Sequence, residues 1–352
     1  MKIHNPRILI YGANGYSAGL ILQEFLKRGI KPVLAGRNRE KVSQLSNKFG
    51  LEYRIFDLSE SKEIQRNLDG INTVLNCAGP FSSTAAALMD ACLKSGTNYL
   101  DITGEIDVFQ AAWNREQAAK TSGIVILPGA GFDVIPTDCM AKRLKEELPD
   151  AQSLMLGFAT KNGRISKGTL KSTLLNLSQE SLIRKGEVIK IRAGSLVKKI
   201  DFGEFSSGTT AIPWADVLNA FYSTKIDDIQ VYMAMPNIVI SFYKTAAGLI
   251  KLSMSVKPVK KIIDKMIDII LTGPDEKQRI TSSTYIWGKV ENANGNFVER
   301  VSEFPDGYTL TALAATECAL RIANAAVEPG TWTPSLAFGS SFSDIFKIRE
   351  IK

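Results

Sequence analysis

The chain has 352 residues, a length that suits two domains better than one. Its 45% hydrophobic and 22% charged content is typical of a globular protein and excludes disordered and fibrous classes. The net charge of +7 comes from Lys and Arg spread along the chain, without basic runs interleaved with aromatics, and we expect no nucleic-acid partner.

The four cysteines, Cys77, Cys92, Cys139 and Cys318, lie far apart in the sequence. Without a Cys-x-x-Cys pair, this spacing predicts reduced thiols and no metal site. Residues 1–7 lack the apolar core of a signal peptide, and no stretch has the roughly 18 uninterrupted apolar residues of a membrane-spanning helix. We therefore expect a cytoplasmic protein.

Residues 7–135 alternate short apolar runs with amphipathic segments, which predicts repeated strand–helix–strand units. The predicted strands are Arg7–Tyr11, Lys31–Ala35, Glu52–Phe56, Thr73–Asn76, Asn98–Asp101 and Ile124–Leu127. The predicted helices are Ser17–Arg28, Arg39–Phe49, Ser61–Leu68, Thr84–Lys94 and Val108–Lys120. Six strands with intervening helices predict a Rossmann-type, doubly wound parallel sheet, which we assign to residues 1–135.

After Pro136 the pattern changes to alternating polar and apolar residues interrupted by helices. The predicted strands are Ser153–Ala159, Val188–Ile191, Leu196–Asp201, Ile229–Ala234 and Ser282–Val290, and the predicted helices are Asp138–Glu147, Thr169–Glu180 and Val239–Ile270. This predicts an α+β substrate or oligomerisation domain with a mixed sheet at residues 136–305. The last segment, 306–352, is predicted to hold a helix (Asp306–Ala326) and a tail that return to the first domain.

The first predicted strand runs into a glycine-rich turn and a helix, the context that a dinucleotide-binding loop requires. Gly12 permits the turn and Gly15 lets the backbone approach a pyrophosphate, while Gly19 would let the helix pack closely on the strand. The spacing Gly-x-x-Gly-x-x-x-Gly differs from the common Gly-x-Gly-x-x-Gly. From this loop we predict cofactor contacts at Gly12, Asn14, Gly15, Tyr16 and Ser17.

The end of the second predicted strand selects the dinucleotide. NAD enzymes carry an Asp or Glu there, whereas this chain has Gly36-Arg37-Asn38-Arg39. A carboxylate would repel a 2′-phosphate, and Arg37 can pair with one bidentately, with Asn38 beside it. We therefore predict NADP as the cofactor. The alternative is that Arg37 lies on the solvated start of a helix.

Two further strand ends supply candidate cofactor contacts. Asp57, after the third strand, is placed where it could meet the adenine, or could instead cap the following helix. After the fourth strand, the small residues and the Gly-Pro turn of Ala78-Gly79-Pro80-Phe81 would let the backbone pass close to the nicotinamide ribose.

Taken together, these stretches resemble the saccharopine dehydrogenase-like oxidoreductases, and within them the trans-acting enoyl reductase branch. The matching stretches are Gly12–Gly19, Ala35–Arg37, Asn76–Phe81, Tyr99–Glu105 and Gly131–Asp138, followed by weaker matches at Ser166–Thr169 and Gly330–Gly339. The resemblance implies a Rossmann domain, an α+β substrate domain and hydride transfer with a nicotinamide cofactor. Within the matching stretches we predict substrate contacts at Phe132, Ser166 and Thr169.

The proton that accompanies hydride transfer has several candidate donors. The only histidine, His4, precedes the first strand at the end of the sheet opposite the predicted cleft. We predict Tyr99, Glu105 and Asp133 as catalytic residues, because they lie at the carboxyl ends of strands five and six. A purely structural role for each, and for Asp101, is the alternative. The pair Tyr285 and Lys289 lies in a predicted strand, and we interpret its Tyr-x-x-x-Lys spacing as chance.

The leading hypothesis is an NADP(H)-dependent oxidoreductase that reduces a hydrophobic acyl or enoyl substrate, small or carrier-bound. The alternatives are a saccharopine-type amino-acid or imine dehydrogenase, and a non-enzymatic NADP-binding scaffold or sensor. The apolar, lysine-rich segment 236–271 suggests contact with a membrane surface or an acyl carrier, or else a solvated face over an ordinary core. A homodimer is a further hypothesis.

Overall fold

A computed structural model of the chain describes residues 6–163, 180–241, 244 and 273–352. It divides into two compact units. The first contains Met1–Ile135 and Tyr308–Gly339, and the second Pro136–Gly307 and Ser340–Lys352. The predicted helix Thr169–Glu180, except for Glu180, and most of the predicted helix Val239–Ile270 lie outside the described residues.

In the first unit, the described strands form one parallel sheet. They are β1 (Ile8–Tyr11), β2 (Val33–Gly36), β3 (Tyr53–Ile55), β4 (Thr73–Asn76), β5 (Asn98–Asp101), β6 (Val125–Leu127) and β15 (Gly330–Thr331). Their spatial order is β15-β6-β5-β4-β1-β2-β3. Because the order reverses between β1 and β4, the carboxyl ends of these two strands flank the crevice in which such sheets bind ligands.

Helices connect these strands in the first unit. They are α1 (Tyr16–Lys27), α2 (Arg39–Phe49), α3 (Ser61–Asn67), α4 (Ala85–Ser95), α5 (Ile106–Trp113), α6 (Glu116–Ser122), α10 (Gly307–Ala323) and α11 (Pro334–Phe338). The predicted single helix Val108–Lys120 is two helices, because the chain bends at Asn114–Arg115. Helices α2, α4 and α6 each end at a glycine in the left-handed conformation, which a side chain would disfavour.

Helix α1 packs on the sheet through an apolar face formed by Ala18, Ile21, Leu22 and Phe25, all buried. The prediction that Gly19 permits this packing is wrong. A Cβ atom added at Gly19 would have no atom within 4 Å, so the helix does not need a glycine at this position.

In the second unit, the described strands form a mixed sheet. They are β7 (Ser153–Lys161), β8 (Ser181–Lys185), β9 (Glu187–Ile191), β10 (Val197–Asp201), β11 (Ser206–Ala211), β12 (Asp228–Ala234), β13 (Ser283–Glu291), β14 (Phe297–Pro305) and β16 (Arg349–Glu350). The main path is β10-β11-β12-β7-β13-β14-β16, with β8 paired to β12 and β9. Strands β7 and β12 are parallel, whereas β13 is antiparallel to both β7 and β14.

The helices described in the second unit are α7 (Ile135–Glu147), α8 (Asp216–Thr224) and α9 (Glu276–Ile280). Residues 340–352 also belong to this unit, where β16 pairs with β14. The prediction that the whole segment 306–352 returns to the first domain is therefore wrong for its last part. Within the described ranges, no helix combines the length and apolar character needed to cross a bilayer.

Candidate cofactor site

The glycine turn after β1 is held directly against the loop that follows β4. Gly12 has a φ of +80°, and a Cβ atom added there would lie 2.8 Å from the backbone nitrogen of Ala78. The amides of Gly12 and Ala13 both donate to the carbonyl of Ala35, at 2.9 and 3.1 Å. Only glycine meets both requirements at position 12, its left-handed backbone and the close approach of Ala78.

The start of helix α1 is open to an anion. Its N-cap is Gly15, no side chain caps the helix, and its first turn contains no acidic residue. The amide groups and the dipole at such a helix end favour a phosphate group. The predicted contacts Asn14, Tyr16 and Ser17 lie at this same end, Asn14 exposed and the other two half-buried.

A groove of about 640 Å³ lies beside the ends of β2 and β3, and we call it the Arg37 groove. It brings together three residues predicted from the sequence: Arg37, Asn38 and Asp57. It adds three that the sequence analysis missed: Leu58, Ser59 and Ser83. The position of Ser59, two residues after a strand-end Asp, was a usable signal for the turn described below.

Two of the groove residues have structural partners. The Asn38 side chain caps α2 by accepting the amide of Lys41 at 3.0 Å. Asp57 accepts the hydroxyl and the backbone amide of Ser59, the latter at 2.8 Å. These two hydrogen bonds, with a further contribution from the positive charge of Arg37, hold the pKa of Asp57 below its usual value. The groove therefore contains an ionised carboxylate as well as an exposed guanidinium.

The loop after β4, which contains Ala78–Phe81, is fixed from two sides. Asn76 accepts the Ala78 amide at 3.0 Å, and the Thr84 hydroxyl donates to the Ala78 carbonyl at 2.8 Å. The two carboxylate oxygens of Glu105 accept the amides of Phe81 and Ser82, each at 2.8 Å. Glu105, predicted as catalytic, thus fixes the position of the predicted nicotinamide loop.

Tyr99 and Asp101 form a buried hydrogen-bond network under the strand ends, and both are 0% exposed. The Tyr99 hydroxyl donates to Asp101 at 2.8 Å, and Asp101 accepts the amides of Thr103 and Gly129 at 3.1 and 2.9 Å. Burial raises the pKa of Asp101 to about 6. The full burial of Tyr99, predicted as catalytic, and its bond to Asp101 favour the structural role that was its alternative.

Asp133 lies in the loop after β6, half-buried beside Gly104. One of its carboxylate oxygens is 3.0 Å from the position that a Cβ on Gly104 would take. Burial, together with the negative charge of Glu105, raises the pKa of Asp133 to about 7. Asp101, Glu105 and Asp133 therefore gather at the carboxyl ends of β5 and β6, and we call them the carboxylate cluster.

The remaining predicted residues fall elsewhere. Phe132 is half-buried next to Asp133, while Ser166, Thr169 and His4 lie outside the described residues. Tyr285 donates to Glu204 at 2.8 Å and Lys289 binds Glu291 at 3.0 Å, so the two side chains have different partners in the second unit. Among the residues that the structure describes, no three His, Cys, Asp or Glu side chains are grouped as a metal site needs.

Comparison with known proteins finds similarities in the first part of the chain. Residues 8–127 match the family model described as saccharopine dehydrogenase NADP binding domain. A saccharopine dehydrogenase-like oxidoreductase from Homo sapiens is 24% identical over 205 residues, covering 51% of this chain and 47% of the relative. A trans-acting enoyl reductase from Mycobacterium ulcerans is 30% identical over 140 residues, covering 37% of this chain and 33% of the relative. The matched region therefore spans about half, or less, of each curated relative.

A solved structure extends the likeness to the whole chain. The apo saccharopine dehydrogenase (L-Glu forming) from Saccharomyces cerevisiae has a TM-score of 0.68 and 12% identity, covering 98% of this chain and 99% of that chain. At this identity the likeness shows the fold alone, which confirms the predicted Rossmann-type sheet with a second, mixed-sheet domain. The family match itself is confined to residues 8–127 of the first unit.

Proposed function

We propose that the chain is an NADP(H)-dependent oxidoreductase that reduces a hydrophobic, acyl- or enoyl-type substrate by hydride transfer. The observation that carries the cofactor choice is the exposed Arg37 directly after β2, in an open groove, at the point where NAD enzymes place a carboxylate. A guanidinium there pairs with a 2′-phosphate and gives no comparable advantage to a 2′-hydroxyl.

The residues of the first unit fit a dinucleotide in three places. The open start of α1 would hold the pyrophosphate, and Arg37 the 2′-phosphate. The Ala78–Phe81 loop, held by Glu105, would support the nicotinamide ribose. NADPH, when bound, would supply the hydride, and the protein would bind and orient the cofactor.

Asp133 is the residue that would hold the accompanying proton. A carboxyl group with a pKa near 7 is protonated in about half of the molecules at neutral pH, which suits a general acid. Asp101 is less suited, because its side chain is fully buried. Glu105 holds the loop of Phe81 and Ser82 through both of its carboxylate oxygens.

The substrate class rests on the relatives. The name of the Mycobacterium ulcerans relative, a trans-acting enoyl reductase, supports an enoyl substrate. The fold likeness to the yeast enzyme keeps a saccharopine-type dehydrogenase as the second candidate. These two candidates differ in charge, since an enoyl thioester presents an apolar chain and an amino-dicarboxylate presents several charges that need cationic partners.

Parallel assays with two substrate classes at the same NADPH concentration test the proposal. Purified chain is mixed with NADPH and either a trans-2-enoyl thioester or a keto acid with an amino acid as imine precursors, and cofactor oxidation is followed by absorbance. We expect NADPH to be oxidised with the enoyl thioester and not with the imine precursors. Oxidation with the imine precursors alone supports the second candidate, and bound NADPH that neither substrate oxidises supports the scaffold hypothesis and contradicts the proposal.

A further inference from the structure

Helix α10, from the C-terminal part of the chain, contacts two segments of the candidate site. Tyr308 and Thr311 are three residues apart, so they lie on the same face of the helix. The Tyr308 ring packs edge-on against Tyr16, the first residue of α1, with ring centroids 5.0 Å apart. Thr311 accepts the backbone amide of Phe132 at 3.0 Å.

Thr311 is in close contact with the loop of residues 128–134 between β6 and α7, which we call the Asp133 loop. A Cβ atom added at Gly131 would lie 3.1 Å from the methyl group of Thr311 and 3.2 Å from its hydroxyl. The loop therefore lies directly on the helix at this point. Only 9% of Thr311 is exposed, so water competes little for its hydroxyl.

The same loop is fixed at its beginning by a different residue. The amides of Gly129 and Ala130 donate to the side chain and the carbonyl of Asp101, at 2.9 and 2.7 Å. The amides of Val134 and Ile135 then donate to the Gly131 carbonyl and close a turn. Asp133 lies inside this turn, so the fixed beginning of the loop and the bond to Thr311 both contribute to its position.

Helix α10 is itself fixed relative to the cofactor helix α1. Besides the Tyr16–Tyr308 contact at the start of both helices, Arg28 at the end of α1 pairs with Glu317 at 2.7 Å. These two contacts, separated by several helical turns, restrain rotation and sliding of α10 against α1. The loop that α10 holds is thereby fixed relative to the cofactor loop.

We propose that Thr311 is a positioning residue of the reaction: through its hydrogen bond to Phe132 it holds the Asp133 carboxyl at a fixed place relative to the cofactor loop. This inference rests on the proposed function for its kinetic consequence. Its structural part, the placement of Asp133 between Gly104 and α10, does not depend on which substrate is reduced.

The test compares Thr311→Val, which keeps the shape and loses the acceptor, with Thr311→Ser, which keeps the acceptor. Thr316→Val is the matched control, because the buried Thr316 hydroxyl of the same helix has no hydrogen-bond partner within the described residues. The full chain, labelled with ¹³C at aspartate carboxyls, is titrated by NMR, and Asp133→Asn identifies the Asp133 signal.

We expect Thr311→Val to lower the pKa of Asp133 from about 7, because a released loop moves the carboxyl toward water and away from Glu105. Thr311→Ser and Thr316→Val should titrate like the parent chain. With a reducible substrate, Thr311→Val should lower kcat on the order of ten-fold, within the hundred-fold that a 1 Å misplacement can cost, while the Kd for NADPH stays within about two-fold.

An unchanged Asp133 titration in Thr311→Val overturns the proposal. An equal fall of the Asp133 pKa in Thr311→Ser also overturns it. If Thr311→Val does not fold, Gly131→Ala replaces it, since the added Cβ presses on Thr311 and should shift the same signal. A chain that fails to bind NADPH contradicts the proposed function, but the NMR titration without cofactor still decides the role of Thr311.

Discussion

The Arg37 groove and the carboxylate cluster lie in the same unit but differ in the exposure of their charged groups and in the pKa values of their carboxyl groups. The groove is open, and its guanidinium and carboxylate are exposed, so dissolved salt screens their charges. In the carboxylate cluster, Asp101 is fully buried and Asp133 half-buried, and their pKa values are raised to about 6 and about 7. Substitutions in the groove should therefore change cofactor affinity, and those in the cluster should change rate and pH dependence.

The largest effect should follow Asp133→Asn. General acids contribute roughly 10²- to 10⁴-fold to rate, and the amide cannot deliver the proton. In the parent chain Asp133 must be protonated, so kcat should fall as the pH rises through about 7, and this dependence should disappear in the variant. Steady-state rates from pH 5 to 9 measure both effects.

Asp107→Asn is the control, because Asp107 is an exposed carboxylate of α5 in the same unit. It should keep the parent rate and pH profile. A parent-like rate for Asp133→Asn at pH 8 would exclude Asp133 as the acid and leave water as the proton source.

The next largest effect is expected for Gly12→Ala. The added Cβ would clash with the Ala78 backbone at 2.8 Å, and the φ of +80° disfavours any side chain. Moving the two loops apart should weaken NADPH binding on the order of 100-fold, the scale of a 1 Å misplacement. Fluorescence titration with NADPH measures the change.

Gly19→Ala is the matched control in the same glycine series. A Cβ there meets no atom within 4 Å, and alanine in a helix is more stable than glycine by about 0.5–1 kcal/mol. Gly19→Ala should bind NADPH like the parent and unfold at a slightly higher temperature. Equal losses in both variants would show that the glycine turn is not a specific cofactor loop.

Arg37→Ala should weaken NADPH binding by roughly 10- to 100-fold, the loss expected for a hydrogen bond to a charged group. Binding of NADH, which has no 2′-phosphate, should change little. Arg66→Ala removes the same charge from an exposed site on α3, outside the groove, and should leave both affinities unchanged.

Raising the salt concentration should weaken NADPH binding more in the parent than in Arg37→Ala. Equal weakening would argue against an Arg37–phosphate pair.

The smallest shift of the pH profile is expected for Glu105→Gln. Removing this negative charge should lower the pKa of Asp133, so the pH at which kcat falls moves to a lower value. The Gln side chain has one acceptor oxygen instead of two, so one of the hydrogen bonds to the Phe81 and Ser82 amides is also lost, and NADPH binding should weaken. Glu63→Gln, an exposed change on α3, should leave the profile where it is. A shift to higher pH in Glu105→Gln would mean that the Asp133 pKa is set by a different neighbour.

The elements of residues 7–135 were predictable because each one is marked by its own local pattern of apolar residues, although the strands pair with partners far away in the sequence. The strands Thr73–Asn76 and Asn98–Asp101 match their predictions residue for residue, since short apolar runs bounded by turns define parallel strands. In the second unit, the elements missed were β8, β14, β16, α8 and α9. Strand β11 (Ser206–Ala211) was also missed, because it has no apolar periodicity: its burial comes from pairing with β10 and β12.

Gly12, Arg37 and Asp133 could be located from the sequence, because each follows a predicted strand; their roles stay predictions. Residues that reach the candidate site from a distant part of the chain could not be located in this way. Thr311 is 179 residues from the amide it accepts, and no local pattern marks it. The burial of Tyr99 likewise follows from the packing of helices on the sheet, which periodicity indicates only as an apolar face.

The most direct test of the central claim is a side-by-side titration of the parent chain with NADPH and NADH under identical salt and pH. We expect NADPH to bind at least about ten-fold more tightly, because Arg37 can pair with the 2′-phosphate, which NADH lacks. NADH binding as tight as, or tighter than, NADPH would contradict it.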